Sequence, residues 1–130
     1  MIFADASALI ALIAGEEDAA VLADRLEMHA DRFCSALAVW ETAAGLCRSY
    51  KIEPARARSH VLDFLKEAGF RFVDLGVREW DIAYDAYARY GKGRHPAALN
   101  MGDCFAYACA KAQGAALLYK GDDFALTDLA

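Results

Sequence analysis

An alternation constrains this chain most: apolar runs too short for helices are each followed by a longer stretch with apolar residues at helical spacing. The first run, residues 2–4, ends at Asp5. Ala6 to Ala14 reads as a short helix stopped by Gly15, and "GEEDAAVLADRLEMH" as a second helix beneath an acidic face. Residues 32–34 read as the next strand, with Ser35 as the N-cap of a helix reaching about Lys51. Pro54 opens a further helix that Gly69 ends. "FRFVDL" alternates as a strand does, and "REWDIAYDAYARYG" is an aromatic-rich helix closed by Gly91. "GKGRHPAALNMG" reads as a loop, residues 102–113 as helix, "AALLYK" as a last strand and "GDDFALTDLA" as a turn and tail. Alternating strands and helices with few hairpin signals predict an α/β fold, a mostly parallel sheet with helices on both faces. Such sheets bind ligands beyond the carboxyl ends of their strands, so residues just after strands are where chemistry is expected.

At 130 residues the chain is long enough for one domain and one core. Its 58% hydrophobic fraction predicts a well-packed domain with apolar surface left for a partner. A net charge of −5 argues against a non-specific, strongly basic nucleic-acid binder. It leaves room for an enzyme that grips nucleic acid through a bound cation and one basic patch. No run is long enough to span a membrane and no basic leader precedes Asp5, so a cytoplasmic location is expected. Cys34, Cys47, Cys104 and Cys109 form no C-x-x-C and lie among apolar neighbours, which predicts small buried hydrophobes rather than a disulfide or zinc framework.

Several acids stand out. Asp5 ends the first strand and serves equally well as a helix cap. Glu41 lies in a helix with apolar residues on nearly every face, where a carboxylate must be paired, protonated or bound to a cation. Asp103 opens the apolar helix "DCFAYACAKA", where the helix dipole alone would favour an acid. Asp122 and Asp123 follow the last strand in "KGDDF", an ordinary turn composition in an informative place. Acids gathered at the strand ends of one parallel sheet repel each other and raise each other's pKa unless something positive sits between them. A divalent cation is the simplest answer. Carboxylate oxygens suit Mg²⁺ or Mn²⁺, and the dispersed His29, His60 and His95 offer no zinc cluster.

"MIFADASALIAL", "WETAAGL" around Glu41, "NMGDCFAYACAK" around Asp103 and the tail "ALLYKGDDFALTDL" stand in an order and spacing that resemble the PIN-domain ribonucleases. More closely, the whole of residues 1–130 is similar to the VapC-type toxins of bacterial toxin–antitoxin modules. The resemblance implies a PIN-like parallel sheet of four to five strands flanked by helices on both faces, and a cation-dependent RNA endonuclease. Its acidic quartet maps to Asp5, Glu41, Asp103 and Asp122, with Asp123 beside the fourth position and Ser7 and Asn100 as auxiliary polar residues. Asp5 and Asp103 would hold Mg²⁺ or Mn²⁺, with Asp122 holding it directly or through water, and Glu41 would orient or deprotonate the attacking water or help hold a second ion, leaving a 5′-phosphate and a 3′-hydroxyl. Relatives often continue into a last edge strand; here that strand is expected to be short or absent.

Arg89, Lys92, Arg94 and His95, interleaved with Tyr87 and Tyr90, suit phosphate contacts and base stacking to a single-stranded loop of a tRNA or ribosomal RNA. The family also implies a VapB-type antitoxin partner, for which the helices near residues 9–46 could offer a groove, and a homodimer. Two other magnesium sites compete, a haloacid-dehalogenase-like phosphatase and a response-regulator receiver. The first lacks its second acid after Asp5, and the second lacks an acidic pair and an obvious phospho-acceptor. A non-catalytic RNA- or protein-binding domain of the same fold is the third reading.

Overall fold

The computed structural model describes residues 1–130, in the order β1 (Ile2–Ala4), α1 (Ala6–Ala14), α2 (Ala19–Glu27), β2 (Arg32–Ser35), α3 (Ala36–Tyr50), α4 (Pro54–Glu67), β3 (Phe70–Val73), α5 (Val77–Tyr90), α6 (Met101–Gln113) and β4 (Ala116–Leu118). The four strands form one sheet in the order β3-β2-β1-β4, all parallel. β1 is central and fully buried, which is why its three residues are all apolar. Its side chains alternate between layers: Phe3 enters the core with α5 and α6, whereas Ile2 and Ala4 enter the core with α1, α2 and α4. The sheet is therefore covered on both faces, as the sequence predicts.

Chain direction explains where a site can form. From β1 the chain moves outward to β2 and β3 with α1, α2 and α4 on one face; α5 and α6 then return across the other face to β4, on the opposite side of β1. The winding reverses at β1, and the loops after β1 and β4 diverge there and leave a crevice at the carboxyl ends of the strands. Backbone pairing continues one step past the strands, with Asp5 N–H donating to the Leu118 carbonyl at 3.1 Å. That bond fixes the first acid at the mouth of the crevice.

The expected boundaries hold within a few residues. Ser35 caps α3 by accepting from the Ala38 N–H, Pro54 stands in the first turn of α4, and Gly15 ends α1 in the left-handed conformation. α6 begins at Met101, inside the stretch read as loop, because Asn100 caps it. No strand follows β4. The tail is fastened instead by side chains: the Tyr107 hydroxyl donates to Asp128 at 2.7 Å, and the Lys111 ammonium reaches the same carboxylate at 2.7 Å. All four cysteines are free; Cys34, Cys104 and Cys109 are buried and Cys47 is half-buried, so the apolar reading of them is right for three.

α3 differs from its sequence reading. A helix apolar on nearly every face is expected to be buried all round, yet Trp40 is 69% exposed. α4 covers only one side of α3, and an open apolar groove is left beside Trp40, Val39 and Ala43, rimmed by Arg58.

Phe3→Ala is expected to cost about 3–5 kcal/mol in chemical denaturation, since it empties the middle of the central strand. Val77→Ala, at a side chain 85% exposed, is expected to stay within about 0.5 kcal/mol of the parent.

Candidate active site

Three elements bring their acids to one cleft of about 70 Å³ at the carboxyl end of the sheet, lined by Asp5, Ser7, Ser35, Glu41, Gly102 and Asp103 among others. Asp5 both caps α1 and belongs to the cleft. Its Oδ1 accepts from the Ala8 N–H at 3.1 Å and from the Ser7 hydroxyl at 2.6 Å, which leaves Oδ2 without an intramolecular donor. The Ser7 oxygen accepts in turn from the Lys120 N–H at 2.9 Å, and this ties the loop after β4 to the first acid.

Asp103 is held by a reciprocal cap. Asn100 N–H donates to Asp103 Oδ2 at 3.0 Å, and Asp103 N–H donates to Asn100 Oδ1 at 2.9 Å, so Oδ1 of Asp103 stays free. Glu41, in the second turn of α3, is half-buried and has no hydrogen-bond donor on either oxygen. Its carboxylate lies flat against Gly102: a Cβ there would overlap all three carboxylate atoms of Glu41. Glycine in the first turn of α6 is thus what lets the Glu41 carboxylate lie there, and no pattern in the sequence marks it beyond the residue itself.

Charge in this cleft is uncomfortable. Burial pushes Asp5 up to about 7, against the lowering effect of its bonds from Ser7 and Ala8, and the charges of Asp103 and Glu41 push the same way. Asp103 rises to about 6, chiefly through burial, with the charge of Asp123 adding to it. Glu41 is also raised, by burial and then by Asp103. No lysine or arginine lines the cleft. Water exclusion and mutual repulsion act together without a compensating side-chain cation.

Neither Asp122 nor Asp123 lines the cleft, and the two differ in what they reach. Both are exposed; the charge of Asp123 helps to raise Asp103, while the Asp122 carbonyl accepts from the Ala125 N–H. Two adjacent acids in a turn are indistinguishable by periodicity, so only the tail's path could choose between them.

The expected RNA contacts divide. The Arg89 guanidinium lies over the Tyr90 ring, donates to the Tyr90 and Tyr107 hydroxyls and pairs with Asp85 and Asp128. His95 Nδ1 accepts from the Ala97 N–H and its ring meets Tyr90 edge-on. Both are engaged within the chain, though Arg89 remains partly exposed. Lys92 and Arg94 remain exposed, with Arg94 placed over Tyr87 at 5.7 Å.

Carboxylates alone are the right donors for a hard divalent cation. No three acidic, histidine or cysteine side chains are gathered closely enough to enclose one ion. Mg²⁺ does not require such a cage, because it keeps several waters and commonly takes only one or two carboxylates. Asp5 and Asp103, each with one oxygen uncommitted, fit that role.

The PIN domain profile matches residues 2–129. The chain belongs to the PIN-domain family. Within it the chain is similar to the VapC ribonucleases: 41% identical to ribonuclease VapC of Mycolicibacterium smegmatis over 97% of this chain and 95% of that one. It is 39% identical to a VapC ribonuclease of Rhizobium meliloti over 99% of both chains, and 39% identical to ribonuclease VapC30 of Mycobacterium tuberculosis over 97% of this chain and 94% of that one. Among solved structures, VapC20 of Mycobacterium tuberculosis, described as a sarcin–ricin-loop-cleaving toxin, matches 96% of this chain and 93% of its own with a TM-score of 0.72 at 20% identity, a likeness of fold. PIN membership removes the dehalogenase and receiver readings, whose acids the chain already lacked.

In EDTA the protein is expected to lose stability as pH rises from about 4 to about 7. The folded state holds the Asp5 proton up to about 7 while the unfolded chain releases it near 3.8, so stability is full below the lower value and lost through the upper one. Thermal unfolding across that window checks the sign. Asp5→Asn, which keeps the cap and removes the charge, is expected to flatten the slope and to gain roughly 1–3 kcal/mol at neutral pH.

Proposed function

We propose that this chain is a divalent-metal-dependent endoribonuclease of VapC type, with Asp5, Glu41 and Asp103 as its catalytic acids and Asp123 as the supporting fourth. One observation carries the reading: three carboxylates from three separate elements share one cleft, each with a raised pKa and none with a cationic side-chain partner. A fold needs no such arrangement for stability, and the cost of burying it is explained by a ligand that is positive. The similarity to VapC ribonucleases over nearly the whole chain supports RNA as the substrate.

Asp5 and Asp103 would hold Mg²⁺ or Mn²⁺ through Oδ2 and Oδ1 respectively. When bound, such an ion lowers the pKa of water and neutralises charge gathering on a scissile phosphate. The chain's own residues do the rest. Ser7 keeps Asp5 in one rotamer and couples it to the loop carrying Asp123. Glu41, with neither oxygen hydrogen-bonded, is free to accept the proton of the attacking water, and Gly102 sets its position. Displacement of the 3′ oxygen then leaves a 5′-phosphate and a 3′-hydroxyl. A single-stranded loop of tRNA or ribosomal RNA is the substrate best suited to so narrow a cleft, because its bases can be splayed away from the phosphate.

The partners follow the same reading. A VapB-type antitoxin would cover the apolar groove of α3 and α4, where Trp40 lies exposed between Arg48 and Arg58. Self-association as a homodimer accompanies it, and light scattering on the purified protein checks that state.

End-labelled total RNA incubated with the protein and Mg²⁺ or Mn²⁺ is expected to give discrete fragments that EDTA abolishes. Asp5→Asn and Asp103→Asn are expected to lower cleavage by at least about 100-fold while remaining folded. Gly102→Ala, a better helix former, is expected to keep or raise the melting temperature yet lower the cleavage rate, because its methyl group displaces the Glu41 carboxylate. Cleavage that survives EDTA, or is equal in both aspartate variants, would remove the metal-dependent reading.

A further inference from the structure

A second groove opens beside the acidic cleft, between α5 and the start of α6. Its volume is about 270 Å³, and eight of its ten lining residues are hydrophobic. Trp80, Tyr84 and Tyr87 form one wall, one helical turn apart. Trp80 and Tyr84 stack with centroids 5.7 Å apart and planes only 7° from parallel, and Tyr87 follows at 5.9 Å. Trp80 is 56% exposed and Tyr84 61%, so these rings face solvent rather than the core.

The groove adjoins the acidic site, and Phe105 lines both. Asn100, whose Oδ1 and backbone N–H clasp Asp103, faces it too, and the side-chain amide nitrogen of Asn100 donates to nothing within the chain. Lys92 stands on the rim and Arg94 lies over the outer ring, Tyr87. In a chain of net charge −5, these two cations stand at the edge of the aromatic groove. Parallel exposed rings, a hydrogen-bond donor at the inner end and cations at the edge are the parts that take up an unpaired base and its phosphate.

We propose that this groove receives an unpaired nucleobase of the RNA strand next to the scissile phosphate, stacked on the Trp80–Tyr84 wall. The inference rests on the ribonuclease reading and adds to it: the chain selects strands whose base beside the cut can leave its own stack. Asn100 then serves two ends, positioning Asp103 with its oxygen and meeting the base edge with its nitrogen. The cavity is slightly smaller than the roughly 300–1,000 Å³ of sites for drug-sized ligands, as a flat single base requires.

The test uses the full chain and a single-stranded RNA oligonucleotide spanning a cut site mapped by sequencing, together with versions carrying one abasic position on either side of the cut. Trp80→Ala and Tyr84→Ala are expected to raise KM for the intact oligonucleotide by roughly 5- to 100-fold, with kcat changed less than about threefold, the range that loss of one aromatic–base stack produces. Trp80→Phe keeps a ring and is expected to recover most of the loss. One abasic position is expected to weaken the parent to the same degree and the alanine variants hardly further, which is the non-additivity that marks a direct pair.

If the parent cleaves while both alanine variants keep its KM, or if abasic and alanine losses simply add, the groove does not hold a base and the ribonuclease reading stands without it. If the variants instead alter the oligomeric state by light scattering and leave KM unchanged, the face is a self-contact and the proposal is overturned. A parent that neither binds nor cleaves any RNA removes both readings together.

Discussion

A carboxylate held where water is almost excluded governs this molecule. Asp5 is only 6% exposed, and three bonds decide that it stays there: its own N–H to Leu118, the Ala8 N–H to its side chain, and the Ser7 hydroxyl that also catches the Lys120 N–H. Take away the central position of β1, and Asp5 would sit at a sheet edge with ample water. Take away Ser7, and the loop after β4 would lose its anchor to the first acid. Sheet order, helix cap and tail path all converge on one oxygen pair.

Helix starts do much of the arranging. α1, α3 and α6 all begin at this end of the sheet, with Asp5, Ser35 and Asn100 as caps. Their dipoles present positive ends towards the cleft and offset part of the repulsion among the acids. Burial acts the other way and raises the pKa values of Asp5 and Asp103. The fold concentrates negative charge just far enough to need an outside cation.

Much of this was legible before any coordinates. Asp5, Glu41 and Asp103 each stand out because a lone acid follows a strand or interrupts an apolar helix, and the structure brings those three together. Other features depend on distant partners that local pattern does not name. Arg89 reads as a free cation until the tail returns Asp128 beside it. His95 reads as a loop residue until its ring nitrogen closes a turn with Ala97. Trp40 belongs to a helix that looks buried by composition, and only the placement of α4 shows that one side is open. Asp122 and Asp123 differ in nothing but the direction a turn gives them. Trp80 and Tyr84 pass as amphipathic filler until their rings are seen to stack outside the core.

The cysteines carry a practical consequence. Burial pushes the Cys34 and Cys109 thiols up to about 12 and Cys104 up to about 11, which leaves almost no thiolate for an alkylating reagent at neutral pH. Cys47 is different: it is half-buried and lines the same groove as Trp40 and Arg48. A maleimide dye therefore has one accessible thiol on the native protein, beside Trp40 on the face proposed above for the antitoxin, so the wild-type chain carries a reporter with which that proposal can be followed.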